Sequence, residues 1–203
     1  MNYFVTAIGT DSGKTLASAI LCEALRADYW KPVQSGLPRD TATVEGLVSD
    51  ARIVFHPEQF LLKTPVSPHT SAKLEGKSIS LRDFVLPATR NDLIIEGAGG
   101  CLVPLNDDDL MADLITKLKC EAIVISNHYL GSINHTLLSF EALKSRNLPL
   151  KGIIFNGEHN EESERIILHH TGLRRLLHIA QENIIDTTVI EKYSKELTQN
   201  WHG

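Results

Sequence analysis

Three runs of consecutive apolar residues constrain this chain more than any other feature: Leu93-Ile94-Ile95, Ile123-Val124-Ile125 and Ile153-Ile154-Phe155. A strand with one wet face alternates apolar and polar residues, so an unbroken apolar run needs cover on both faces. Together with two further runs they give strand candidates at Tyr3–Thr6, Tyr29–Val33, Leu93–Glu96, Ala122–Ser126 and Gly152–Asn156. Between them the apolar period changes. Leu16, Ala17, Ile20, Leu21 and Ala24 recur on one helical face, as do Ile133, Leu137 and Phe140. Strand–helix alternation of this kind predicts βαβ units: an α/β fold with an open, mostly parallel sheet and helices on both faces. Ligands of such folds collect at the carboxyl ends of the strands. Residues after Asn183 are polar and weakly patterned, and the periodicity assigns them to no element.

The length of 203 residues is enough for one domain with a sizeable core, spanning 1–203, and no repeat or Pro/Gly/Ser-rich linker divides it. A formal net charge of -5 lacks the basic excess of a nucleic-acid binder. Cys22, Cys101 and Cys120 are scattered, which reads as reduced buried thiols. The N-terminal residues show no basic stretch followed by an apolar one, and no apolar run approaches the ~20 residues that span a bilayer. A cytoplasmic protein that does not contact membranes is expected.

The first strand candidate runs into Ala7-Ile8-Gly9-Thr10-Asp11-Ser12-Gly13-Lys14-Thr15, which opens the first helix. Small residues let backbone N–H groups converge there, and the helix N-terminus adds positive potential. Lys14 can reach the β- and γ-phosphates of a nucleotide, and the Thr15 hydroxyl can ligate magnesium. Ile8 stands where the first glycine of G-x-x-x-x-G-K-[ST] belongs. Strand before and amphipathic helix after still make nucleotide binding the expectation, on a P-loop NTPase-like fold.

Lys31 lies at an apolar strand end in Trp30-Lys31-Pro32-Val33-Gln34-Ser35-Gly36. A lysine so placed beside a phosphate loop suits charge that develops during a reaction. Glu96 closes the third strand candidate before Gly97-Ala98-Gly99-Gly100 and points toward the first loop. Asp40, ahead of Thr41-Ala42-Thr43-Val44, reads equally as a helix N-cap or as a metal ligand. Gly131–Asn134 opens a helix; its amides form either a carboxylate site or an ordinary helix start. His69, His128 and His135 lack ligand spacing such as His-Glu-x-x-His and read as scattered polar side chains.

These pieces together resemble the dethiobiotin synthetase family, whose fold is of the P-loop type. The resemblance covers roughly Tyr3 through Gly157. It rests on the phosphate loop, Lys31–Gly36, Ser67-Pro68-His69, Glu96–Gly100 with Val103-Pro104-Leu105, and Leu130-Gly131-Ser132-Ile133-Asn134-His135. It implies an ATP-dependent cyclo-ligase that makes dethiobiotin from 7,8-diaminopelargonate, CO2 and ATP. One amine captures CO2 as a carbamate, the γ-phosphoryl moves to its oxygen, and the second amine closes the cyclic urea.

By this resemblance Lys14 and Lys31 are catalytic, bracketing γ-phosphate and carbamate. ATP falls to Asp11, Ser12, Gly13, Lys14, Thr15, Leu16, Asp40, Glu96, Gly97, Ala98, Gly99, Asn156 and Gly157. Thr10, Lys31, Ser35, Gly131, Ser132, Ile133 and Asn134 take the substrate. Thr15, Asp40 and Glu96 hold Mg2+, with Asp40 preferred to Asp50. The family's substrate carboxylate is bound by the neighbouring subunit, so a homodimer is implied. The family's late Gly-x-Ile-Pro-type segment, which completes the adenine pocket, is replaced here by Leu176-Leu177-His178-Ile179-Ala180-Gln181. Weaker discrimination between nucleotides follows.

Two other classes share parts of this pattern. Partner-regulated ATPases of the positioning kind carry a second lysine inside the phosphate loop, and this loop has only Lys14. A nucleotide sensor without turnover would leave Lys31 and Ser35 no purpose beyond packing.

Overall fold

The computed structural model describes residues 1–201. Its main sheet has seven strands, all paired in parallel: β1 (Asn2–Ala7), β2 (Asp28–Trp30), β4 (Phe55–His56), β6 (Leu93–Glu96), β7 (Glu121–Asn127), β8 (Leu150–Asn156) and β9 (Arg175–Ile179). Their order is β4-β2-β6-β1-β7-β8-β9. From β1 the early strands lie to one side and the later ones to the other. The reversal opens a crevice over the carboxyl end of β1.

The unbroken apolar runs are covered on both faces, as parallel strands require. Within each run side chains alternate between two cores. Phe4, Leu93, Ile95, Val124, Ile153 and Phe155 meet Leu114, Leu143 and Ile167 of α4 (Met111–Leu118), α5 (Ser132–Lys144) and α6 (Glu161–Thr171). Val5, Ile94, Ile123, Ile125 and Ile154 meet α1 (Lys14–Leu25) and α7 (Thr187–Asn200) instead. The three cysteines are free and buried. No helix among the described residues is long and apolar enough to cross a membrane.

The structure departs from the sequence pattern in three places. The single strand expected over Tyr29–Val33 is two. β2 ends at Trp30, and β3 (Val33–Ser35) leaves to form a separate two-stranded parallel sheet with β5 (Phe60–Leu62). Pro32 lies at the break; it has no N–H for the ladder, and its carbonyl accepts from Phe60 N at 2.9 Å. β4, β5 and β9 are strands that the apolar pattern does not mark.

The unassigned C-terminal stretch is helix α7. Asp186 caps it by accepting from Val189 N at 3.0 Å. Ile190, Tyr193 and Leu197 are buried at helical spacing against the α1 core. Ser194 lies on the same face and donates to Ile20 O at 3.1 Å, so a polar residue interrupts the apolar stripe. Truncating Leu197, fully buried here, leaves a cavity between two helices. Leu197→Ala is expected to lower the unfolding free energy by about 2–5 kcal/mol in urea titrations. Unchanged stability would show that α7 is not part of this core.

Candidate functional site

The loop between β1 and α1 is shaped by residues that accept left-handed backbone. Asp11 has φ 55° and Gly13, the helix N-cap, φ 92°. A Cβ on Gly13 would lie 2.3 Å from Asn156 Nδ2, so a larger residue must both take this left-handed backbone and displace that amide. That amide donates to Ser12 O at 3.0 Å and ties the loop to the end of β8. Ser12 Oγ and Lys14 Nζ both donate to Gly9 O, each at 3.2 Å, folding the loop on itself. Ile8 is accommodated because it continues the strand, donating its N–H to Ile125 O at 3.1 Å.

Alternation along the strands delivers the charged groups. Tyr29 and Ile94 belong to the core under α1. Lys31 and Glu96, two residues on from each, reach the same side. Lys31 Nζ bonds Asp40 Oδ2 at 2.6 Å, Glu96 Oε1 at 2.8 Å and Gly97 O at 3.0 Å. Glu96 Oε1 also accepts from Thr15 Oγ1 at 3.0 Å, and Oε2 from Tyr29 OH at 3.0 Å. Asp40 is the first residue of α2 (Asp40–Leu47) rather than its cap, which is Arg39. Gln34 fixes that helix start, its Oε1 accepting from Asp40 N at 3.0 Å. Asp50 instead pairs with Arg52, accepting two hydrogen bonds from its guanidinium and one from its backbone N–H.

The electrostatics follow from burial and neighbours. Burial alone would push Lys31 down, but Glu96 and Asp40 outweigh it and its pKa ends raised. Glu96 is fully buried, yet Lys31 and Lys14 hold its carboxyl below the ordinary range. Burial, with Glu96 adding, raises Asp40 against the opposing pull of Lys31. Burial and the Lys31 charge lower Lys14 to about 8. The Asp40 and Glu96 carboxylates meet at Lys31 and the Thr15 hydroxyl bonds Glu96, so three hard oxygens of the kind Mg2+ takes lie close together.

These groups open into a cleft of about 1060 Å³. Of the residues expected from the sequence, Thr10, Asp11, Gly13, Lys14, Thr15, Leu16, Lys31, Ser35, Asp40, Glu96, Ala98 and Gly99 line it. Ser12 is buried within the loop, and the carbonyl of Gly97 is held by Lys31. Asn156 and Gly157 stand behind the loop at the end of β8. Gly131, Ser132, Ile133 and Asn134 form the start of α5 and do not line this cleft. Ser35 Oγ is buried without a hydrogen-bond partner among the described residues.

Sequence reasoning missed Tyr29, Gln34 and Ile185. Strand alternation from Lys31 could have placed Tyr29, and Gln34 lies inside the Lys31–Gly36 run. Ile185, which lines the cleft with Leu16 and Leu47, follows β9 in a stretch without a legible pattern.

A family model described as an AAA domain matches residues 1–188. The ATP-dependent dethiobiotin synthetase of Cytophaga hutchinsonii is 57% identical over 202 residues, covering 98% of each chain. That of Brucella ovis is 45% identical, covering 100% of this chain and 96% of its own. Among solved structures, the cell division ATPase MinD of Pyrococcus furiosus aligns with TM-score 0.58 at 13% identity, covering 98% of both chains. A ParA family ATPase of Chlorobium tepidum gives 0.56 at 12%, covering 98% of this chain and 95% of its own. At such identities the structural likeness establishes the fold alone.

Gly13 gives a direct test of the loop. Gly13→Ala places a side chain at positive φ against Asn156, and is expected to cost about 1–3 kcal/mol in urea unfolding from backbone strain alone. Nucleotide affinity by calorimetry should fall with it. Wild-type stability and affinity would mean that the loop does not need this conformation.

Proposed function

This chain belongs to the ATP-dependent dethiobiotin synthetase family, within the AAA-domain group its family model describes, and from that premise we propose how its cleft works. The reaction joins 7,8-diaminopelargonate and CO2 at the expense of ATP. One amine nitrogen bonds the CO2 carbon and gives up a proton, leaving a carbamate. A carbamate oxygen attacks the γ-phosphorus and ADP leaves. The second amine then attacks the carbamoyl carbon, the ring closes and phosphate departs.

The observation that carries this reading is the Lys31 ammonium, buried and held at 2.6–2.8 Å by two carboxylates beside the phosphate loop, where it shares Glu96 Oε1 with the Thr15 hydroxyl. Two anions, carbamate and triphosphate, must approach one another, and a preorganised cation between them costs no reorganisation. Lys14 serves the β- and γ-phosphates. Thr15, Asp40 and Glu96 would hold Mg2+, which supplies charge neutralisation on the phosphate oxygens. Ser35, which lines the cleft with its hydroxyl buried and unpartnered among the described residues, is assigned the hydrogen bond to the substrate in this reading.

We place the substrate's distal carboxylate on the α5 N-terminus of a second copy. Gly131–Asn134 lie outside this chain's cleft, and the exposed apolar side chains Tyr129, Leu130 and Leu138 flank them. A homodimer is the assembly that brings that turn to the cleft. The cytoplasm and a single domain over 1–203 remain the readings for compartment and organisation.

ADP release, measured with diamine and bicarbonate each present or omitted, should require both. Equal release without either would overturn the reading. Lys31→Ala is expected to lower kcat about 10²–10³-fold. It also leaves Asp40 and Glu96 facing each other without their cation, a cost of about 3–5 kcal/mol in unfolding. Near-normal turnover in this variant would sink the mechanism.

Base selectivity is the further expectation. Asn156 commits one of its two Nδ2 hydrogens to Ser12 O, and the Leu176–Gln181 stretch lacks the Gly-x-Ile-Pro-type segment that completes the family's adenine pocket. The penalty for GTP or CTP relative to ATP should therefore stay below the ~10⁴-fold of a fully hydrogen-bonded pocket. Steady-state kcat/KM with four triphosphates decides it, and a larger penalty would require another base-reading group.

A further inference from the structure

We propose that His128, Glu164 and His178 form a binding site for a divalent transition-metal ion, zinc above all, on the face of the sheet opposite α1. His128 follows β7, His178 lies in β9, and Glu164 projects from α6. Their donor atoms, one from each residue, lie within 4.8 Å of one another. Glu164 Oε1 is 2.6 Å from His178 Nδ1 and 3.3 Å from His128 Nε2. A third imidazole, His159 Nε2, comes within 3.7 Å of the same oxygen.

Glu164 is only 2% exposed, so its charge is answered from within the cluster. Arg175 takes the other oxygen at 3.1 Å, which turns Oε1 toward the imidazoles as an outer-sphere partner does. The rings are held by rigid elements. His128 stacks on Phe155 with centroids 5.5 Å apart and planes 8° from parallel. His178 is paired in register with Phe155 across β8 and β9. The far nitrogens, His128 Nδ1 and His178 Nε2, are buried without partners among the described residues, so the shared carboxylate oxygen is the polar anchor of both rings.

One carboxylate oxygen has too few lone pairs to accept well from three imidazoles. A metal ion at the centre accepts from all three nitrogens and the oxygen at once, with each neutral ring carrying its proton on the far nitrogen. Two or three imidazoles with one carboxylate are the ligands of zinc, at about 2.0–2.2 Å each. Magnesium and calcium take oxygen, so this site differs in chemistry from the one at Thr15, Asp40 and Glu96. Bound metal would fasten β7 and β9 to α6 directly beneath Asn156 and Gly157.

The test uses the full chain, stripped with chelator, dialysed and titrated with Zn2+ in excess Mg2+ by calorimetry. One Zn2+ per chain is expected, with a higher melting temperature, and Co2+ in its place should give the visible absorption of a tetrahedral N/O site. His128→Gln and His178→Gln should each lower zinc affinity by at least the 10–100-fold that loss of an outer-sphere partner costs. The surface pair His169 and His170 serves as control, and His169→Ala with His170→Ala should leave binding unchanged. Wild-type protein without stoichiometric zinc overturns the proposal, whatever the variants do. Equal binding by the His178→Gln variant, or loss of binding in the His169/His170 variant, overturns it too.

Discussion

One buried ammonium holds the cleft together. Lys31 Nζ joins the end of β6, through Glu96 and the Gly97 carbonyl, to the first residue of α2, through Asp40. Two carboxylates brought to about 4 Å in a protein-like dielectric repel by about 4 kcal/mol, so neither could stand where it does without a shared cation. The same cation orders four side chains, Asp40 and Glu96 directly and Thr15 and Tyr29 through Glu96, which accepts from both. Position in the sheet makes this possible. Lys31 and Glu96 each sit two residues beyond a core residue on the α1 face, Tyr29 and Ile94, and parallel pairing of β2 with β6 sets them side by side.

The two lysines of the cleft occupy different electrostatic states for that reason. Lys31 has two carboxylates in contact, and its charge is stabilised despite burial. Lys14 is buried against a backbone carbonyl, and that burial first and the positive charge of Lys31 second lower its pKa to about 8. A polyanion arriving on the loop would favour the charged form of Lys14 and raise that value. Lys31 is thus a standing charge, while Lys14 is a charge that the ligand itself stabilises.

Much of this was legible in the sequence, for identifiable reasons. Runs such as Ile123-Val124-Ile125 advertise a doubly covered strand, and Gly13-Lys14-Thr15 after β1 advertises the loop. Lys31 and Glu96 converge as their positions implied, and Asp40, which read equally as a helix N-cap or a metal ligand, joins them. Short edge strands were not legible: β4 has two residues and β5 three, too few to show a period. α7 escaped because Ser194 interrupts its buried stripe, and its hydrogen bond to Ile20 O is invisible before the helices meet. His128 looked like a scattered polar residue because its companions, Glu164 and His178, are 36 and 14 residues removed from their respective neighbours in the cluster. No local spacing encodes a contact between two strand ends and a helix.

The fold itself says little about the reaction. Chains with 12–13% identity and TM-scores of 0.56–0.58, a ParA family ATPase and a cell division ATPase among them, build the same architecture. What a parallel sheet supplies is a row of strand ends facing one crevice, and the chemistry depends on which side chains stand there. Here β1 delivers a phosphate loop, β6 a buried carboxylate, and the Lys31–Gly36 segment a second cation and an unpartnered hydroxyl. A triphosphate alone would need the first two. Lys31 and Ser35 line the same cleft of about 1060 Å³, and it is to these two groups that the proposed reading assigns the second reactant, the one a ligase needs beyond its nucleotide.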